Sequence, residues 1–181
     1  DIAQEILRSG EAPHIAALPA ARTGTALYPG TCRALAAAAR EERIARGDSY
    51  ALRLDAAKAA AQAGPLRFTE QGHVHAVAPL RFGDLVIARK DMPTSYHLAV
   101  VVDDAHQGVT LVTRGEDLLA ACHVQRLLQA LLGLPEPAYA HHRLILDKQG
   151  RKFSKRDNAV TLQALREAGA TPADVGALLG L

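Results

Sequence analysis

The sequence predicts an α/β fold, a parallel sheet preceded by a smaller α+β segment, and three observations carry that reading. Continuous apolar runs at 98–102, 109–112 and 144–146 have the character of strands buried on both faces. Between the second and third runs, residues 116–132 place Leu119, Cys122, Leu127 and Leu131 on a broad helical stripe, so strand, helix and strand follow one another as in a βαβ unit. Upstream, Ala-rich helical stretches alternate with short β-type segments, the pattern of a separate α+β layer.

Each element has a local reason. Ile2, Ile6 and Leu7 give residues 1–8 the spacing of a short helix. Residues 10–27 mix Gly, Pro, Ala and Thr and read as a connector. Residues 33–46 form a helix by Ala propensity, with Gly47 to end it. A short strand at 50–54 leads into a second Ala-rich helix at 56–63, closed by Gly64 and Pro65. From Leu66 the pattern turns to β: residues 74–77 alternate His with apolar groups, and 84–89 are an apolar strand core bounded by charge. Residues 161–168 read as a helix stopped by Gly169. Thr171, Pro172 and Asp174 are a capping residue, a first-turn proline and an acid at the positive end of a last helix. The chain is expected to divide into residues 1–80 and residues 81–181.

The 181 residues suit one domain with a subdomain, and 49% hydrophobic against 22% charged residues excludes a mostly disordered chain. No run of eighteen apolar residues offers a membrane span, no signal-peptide pattern stands at the start, and two cysteines make no disulfide framework. A cytoplasmic monomer is the expectation. The formal net charge of +2 and the scarcity of aromatic residues leave composition neutral about RNA.

Three segments carry chemistry. The basic loop Lys152, Phe153, Ser154, Lys155 and Arg156 follows a predicted strand and precedes a predicted helix. Two lysines three apart can close on a polyphosphate while Ser154 and backbone N–H groups add neutral donors. Arg114 directly follows an apolar run, at the end of a strand where open α/β sheets place ligands, and its planar fork suits a carboxylate. Tyr96 lies at the mouth of the preceding run, before the pair Asp103 and Asp104.

In this order the segments resemble the second half of the catalytic domain of the class I glutamyl-tRNA synthetases, over about residues 80–160. The basic loop resembles their K-M-S-K-S element, written here K-F-S-K-R. Tyr28 and Cys32, in Tyr28-Pro29-Gly30-Thr31-Cys32, resemble half of the zinc site in the shortened branch of that family, the glutamyl-Q tRNA(Asp) synthetases. The resemblance implies the latter half of a Rossmann-like nucleotide-binding domain, residues 81–181, preceded by an inserted subdomain, residues 1–80. It also implies activation of glutamate by ATP with Mg²⁺, and transfer to the queuosine base of tRNA(Asp). It makes Lys155 the catalytic ATP-binding residue and Tyr96 and Arg114 the glutamate-binding pair. Arg156 and Asp157 depart from the family's usual loop ending.

Other residues read more plainly. Asp103 and Asp104 could hold Mg²⁺, but an acidic turn after a strand is the preferred reading. Tyr28 and Cys32 are two ligands where zinc takes four, and the family's Cys-x-Cys is absent from the chain; His14 is the nearby substitute donor. His73 and His75 share a strand face without a third ligand, His141 and His142 cannot share one, both pairs read as ordinary surface or groove residues, and Cys122 reads as a small buried hydrophobe. The family's His-x-Gly-His is also absent, so the expectation is the C-terminal portion of a larger enzyme. An ordinary glutamyl-tRNA synthetase and a non-catalytic relic that binds RNA or a partner remain the alternatives.

Overall fold

The structure, a computed structural model, describes residues 6–9, 27–146, 150 and 161–180. The chain divides into two compact units, Asp1–His142 and Arg143–Leu181. In the first unit β1 (Ile6–Ser9), β2 (Ala51–Leu54) and β5 (Leu85–Arg89) form an antiparallel sheet in the order β1-β2-β5. A second sheet has the order β4-β3-β7-β6, with β3 (Arg67–Glu70), β4 (His73–Ala76), β6 (Leu111–Gly115) and β7 (Ala138–His142). The β3–β4 pair is an antiparallel hairpin, whereas β3 with β7 and β7 with β6 are parallel.

Helices α1 (Ala37–Ala45) and α2 (Ala56–Ala63) flank β2 in sequence, and Asp55 caps α2 by accepting the N–H groups of Ala57 and Lys58. The predicted βαβ unit is present as β6, α4 (Ala121–Leu132) and β7, paired from Leu111 with Ala138 to Gly115 with His142. A 3-10 turn, Glu116–Leu118, precedes α4, and Gly133 ends it in the left-handed conformation, φ 66°.

Two apolar clusters explain why α4 is the organising helix. Its Val124, Leu127 and Leu128 pack with Leu54, Leu85 and Ile87 of the antiparallel sheet and with Val101. Its Cys122 packs with Phe68 of β3 and Tyr139 of β7. One helix therefore serves both sheets, and polar residues on its buried side are carried into the interior.

Four expectations are corrected. Residues 98–102 are not a strand but the middle of α3 (Tyr96–His106), whose N-terminal cap is the Ser95 hydroxyl accepting from Leu98 N–H. Three successive valines favour a strand locally, but the cap and the burial of Val101 against α4 override that preference. It follows that Asp103 and Asp104 lie inside a helix, not in a turn. The strand that closes the parallel unit is β7, and of residues 144–146 only Leu146 makes an isolated bridge. Ile6–Ser9 is a strand on β2, not a helix.

The second unit contains α5 (Leu162–Glu167), capped by Thr161, and α6 (Pro172–Leu179). At α6 the expected cap Thr171 accepts from Asp174 N–H through its hydroxyl while the Asp174 carboxylate accepts from Thr171 N–H, so cap and acid together form a capping box. The basic loop, Lys152 to Arg156, lies outside the described residues. Among the described residues, no helix is long and apolar enough to cross a membrane.

Candidate functional site

Arg114 is the next-to-last residue of β6, and its guanidinium is tied on several sides. Its Nε–H donates to His141 Nε2 at 3.0 Å, one terminal nitrogen to Gln125 Oε1 at 2.8 Å, and the other to Cys122 Sγ at 3.1 Å. The plane lies 5.3 Å from the Tyr139 ring centroid, within cation–π range. The parallel register places Arg114 beside His141, and period-two alternation puts Tyr139 and His141 on the same face of β7. Gln125 and Cys122, three apart on α4, approach the same group.

Behind His141 stands Glu70, at the end of β3. Its two carboxylate oxygens receive the His141 backbone N–H at 2.9 Å and meet the ring Nδ1 at 2.6 Å. Burial pushes the Glu70 carboxyl up, but the hydrogen bonds from His141 outweigh it and hold the group below the ordinary carboxylate range. Burial pushes the Cys122 thiol up to about 11, so beside Arg114 it remains a thiol. The Tyr139 hydroxyl, pushed to about 12 chiefly by burial, accepts from Gln129 Nε2 at 3.2 Å. Asp104 is raised by burial, against the opposing charge of Arg114.

Among the described residues, the buried His97 Nδ1, Gln125 Nε2 and Gln129 Oε1 find no hydrogen-bond partner. Gln125 and Gln129 are each only 2% exposed. Buried amides with unspent hydrogen-bonding capacity are uncommon in cores, because each costs about 1–3 kcal/mol, and they are frequent where ligands or ordered waters complete a site.

His97 is pushed down to about 4, first by burial and then by the charge of Arg114, so it is neutral at physiological pH. Its folded-state value lies below its ordinary value, so the unfolded chain binds the proton first as pH falls from about 6.5 to 4. Stability therefore drops as pH falls through that window. Between about pH 7 and pH 5 the loss attributable to His97 is about 2 kcal/mol, and His97→Phe should remove that share in urea unfolding. An unchanged pH dependence in the variant would clear His97 of the effect.

Of the predicted pair, Arg114 is at the centre of this network and Tyr96 is at its margin. Tyr96, the first residue of α3, is 43% exposed and meets the His97 ring edge-on at 5.4 Å. The two predicted residues are thus linked through His97, which feels the charge of Arg114. His141, expected as an ordinary surface or groove residue, is not at the surface: its side chain is 2% exposed and joins Glu70 to Arg114. Cys122 is fully buried as expected but is also an acceptor for Arg114. Glu70, Gln125 and Gln129 belong to no motif of the sequence, although the i, i+4 glutamines on the apolar side of α4 are a visible signal.

The Tyr28–Cys32 turn is a separate place. The Tyr28 hydroxyl accepts the Cys32 backbone N–H at 2.8 Å, and its ring lies 4.3 Å from the Arg53 guanidinium. Arg33, next to Cys32, donates to Asp84 at 2.5 Å and ties the turn to the residue just before β5. Burial raises the Tyr28 phenol, which favours the neutral hydroxyl. Among the described residues no three His, Cys, Asp or Glu side chains are grouped to hold a metal. Tyr28 and Cys32 alone do not satisfy a four-coordinate zinc ion.

Residues 17–180 match the family described as tRNA synthetases class I (E and Q), catalytic domain. A glutamyl-Q tRNA(Asp) synthetase of Rhodobacter capsulatus is 46% identical over 166 residues, covering 86% of this chain and 56% of that protein. One from Nocardia farcinica is also 46% identical, over 97% of this chain and 52% of its own length. The glutamate-tRNA synthetase of Elizabethkingia anophelis has a similar structure, with TM-score 0.59 and 25% identity over 85% of this chain and 33% of that one. The chain spans about half the length of the curated relatives it matches. It belongs to the catalytic-domain family of the class I (E and Q) tRNA synthetases.

Proposed function

We propose that the protein of which this chain is part activates glutamate with ATP and transfers it to the queuosine base of tRNA(Asp). The carrying observation is the Arg114 site: a guanidinium fixed at the C-terminal end of a parallel strand, beside buried amides with unspent hydrogen-bonding capacity. The names of the relatives supply the acceptor. Arg114 takes a carboxylate of glutamate through its remaining N–H groups, and Tyr96 covers the ligand from the start of α3. The substrate's α-carboxylate attacks the α-phosphate of ATP, which comes with its Mg²⁺, and pyrophosphate leaves. Lys155 stabilises the charge that shifts onto the phosphates, and Lys152, Phe153, Ser154 and Arg156 shape the loop that presents it.

Within this reading residues 1–80 are an inserted subdomain and residues 81–181 the second half of the nucleotide-binding domain, with the β3–β4 hairpin of the insertion hydrogen-bonded onto β7. A cytoplasmic monomer is the setting. Glutamate-dependent ATP–pyrophosphate exchange by the full-length protein, followed by transfer of labelled glutamate to tRNA(Asp) carrying or lacking queuosine, tests the proposal. Charging of tRNA(Glu) instead would select an ordinary glutamyl-tRNA synthetase, and no exchange at all would select a non-catalytic RNA- or partner-binding protein.

Zinc belongs to the same proposal only as a shared site, with Tyr28 and Cys32 as two of its donors and a Cys-x-Cys outside this chain as the others. Loading requires loss of the phenol proton, so occupancy should fall with pH. Elemental analysis of the full-length protein is expected to find one zinc, with occupancy reduced by Cys32→Ser. A zinc-free protein would leave Tyr28 and Cys32 as a packed turn.

A further inference from the structure

The hydrogen bonds around His141 admit one consistent assignment of protons. Arg114 has only donors, so His141 Nε2, which faces its Nε–H at 3.0 Å, carries a lone pair. The ring proton is then on Nδ1, where the Glu70 carboxylate accepts it at 2.6 Å. This excludes an imidazolium–carboxylate ion pair, because a protonated Nε2 would oppose a donor with a donor. The second Glu70 oxygen accepts the His141 backbone N–H at 2.9 Å, which fixes the carboxylate in its plane.

The hairpin beside Glu70 is built for the same end. Gln71 and Gly72 have φ of 46° and 83°, the two positive values that a two-residue type I′ turn requires. Positive φ is uncommon for glutamine, and Gln71 is held there by its own hydrogen bonds. Its backbone N–H donates to Tyr139 O at 2.8 Å and its side-chain amide to His141 O at 2.7 Å. The turn thereby locks Glu70 against the part of β7 that carries His141.

We propose that Glu70 and His141 are positioning residues that fix the tautomer of His141 and, through it, the orientation of the Arg114 guanidinium toward glutamate. This rests on the reading of Arg114 as the partner of a glutamate carboxylate. Neither residue touches substrate. Glu70 supplies a negative charge two groups removed from the ligand, so the guanidinium is oriented without being neutralised by a direct ion pair.

Two substitutions in the full-length enzyme separate this role from simple packing. In Glu70→Gln the His141 backbone N–H selects the amide oxygen, which leaves the amide N–H₂ facing Nδ1. The ring must then move its proton to Nε2, against Arg114. His141→Gln places an amide oxygen near the position of Nε2 and preserves the acceptor, whereas His141→Leu removes it. Glu70→Gln and His141→Leu should raise the KM for glutamate about ten-fold or more while the KM for ATP moves little, and His141→Gln should recover most of the loss. Nitrogen-15 NMR of the imidazole provides a readout independent of activity: the Nδ1–H tautomer in the wild type and the Nε2–H tautomer in Glu70→Gln.

An Nε2–H tautomer in the wild type would overturn the proposal. So would a glutamate KM unchanged in both damaging variants, or equal losses for glutamate and ATP that His141→Gln does not repair. Arg114→Lys, measured beside them, tests the underlying reading separately. The expected tautomers with a glutamate KM indifferent to Arg114→Lys would leave the relay in place and remove glutamate from Arg114.

Discussion

Under the proposed glutamate activation, Lys155→Ala in the full-length protein is expected to lower the rate of adenylate formation by about 10²–10³-fold while weakening ATP binding far less. The asymmetry follows from where charge develops. In the ground state the triphosphate is already solvated and accompanied by Mg²⁺. As the glutamate carboxylate attacks, negative charge moves toward the bridging oxygen and the departing pyrophosphate. On the proposed reading the Lys155 ammonium interacts most strongly with that developing charge, so the chemical step suffers more than ATP binding. Single-turnover measurement of pyrophosphate release, over a range of ATP concentrations, separates the two effects. Weaker ATP affinity with an unaltered chemical step would make Lys155 a phosphate anchor and end its assignment to the transition state.

The elements that could be read from the sequence were those whose local signals agree with their tertiary setting. Helix α2 has Ala propensity and an Asp55 cap, and α6 has Thr171, Pro172 and Asp174 in the order a helix start requires. The strand β5 is an apolar run between charges. Helix α3 looks like a strand in sequence because Val100, Val101 and Val102 are β-branched, and only Ser95 at its start speaks for a helix. Its helical state is decided by packing Val101 onto α4, a contact that no window of sequence contains. The closing strand β7 is a weaker strand signal than 144–146 because Ala138–His142 contains two histidines and few aliphatic groups. Its inward positions are Tyr139 and His141, polar at their tips and apolar in their bodies, so hydropathy underrates them.

The site was legible to the same degree. Arg114 was found because a strand-end arginine in that segment resembles the family, but the groups that orient it are scattered over β3, α4 and β7. Glu70 is far from His141 in sequence and acquires its meaning only through the parallel pairing of β3 with β7. Gln125 and Gln129 left a trace, two amides on a leucine-rich face, which periodicity registers as a defect in the stripe. Read as polar residues forced inward, they are a pointer to function.

Arg114→Lys is expected to weaken glutamate binding by about 1–3 kcal/mol, a factor of about 5–150 in the glutamate KM, with the KM for ATP little changed. The guanidinium engages His141, Gln125 and Cys122 with three of its N–H groups, and the proposed function assigns the others to glutamate. A lysine ammonium is a single point of charge at the end of a flexible chain. It can reach a carboxylate or the protein acceptors, but it cannot hold the fork geometry that does both. The His141 lone pair and the Gln125 oxygen would also lose their donor inside the protein, so some of the cost falls on stability. Thermal unfolding of the variant measures that share, and the glutamate KM of the folded fraction measures the rest. A glutamate KM equal to that of the wild type, in a variant that folds, would remove Arg114 from the binding site and leave its network as a structural tie between β6, α4 and β7.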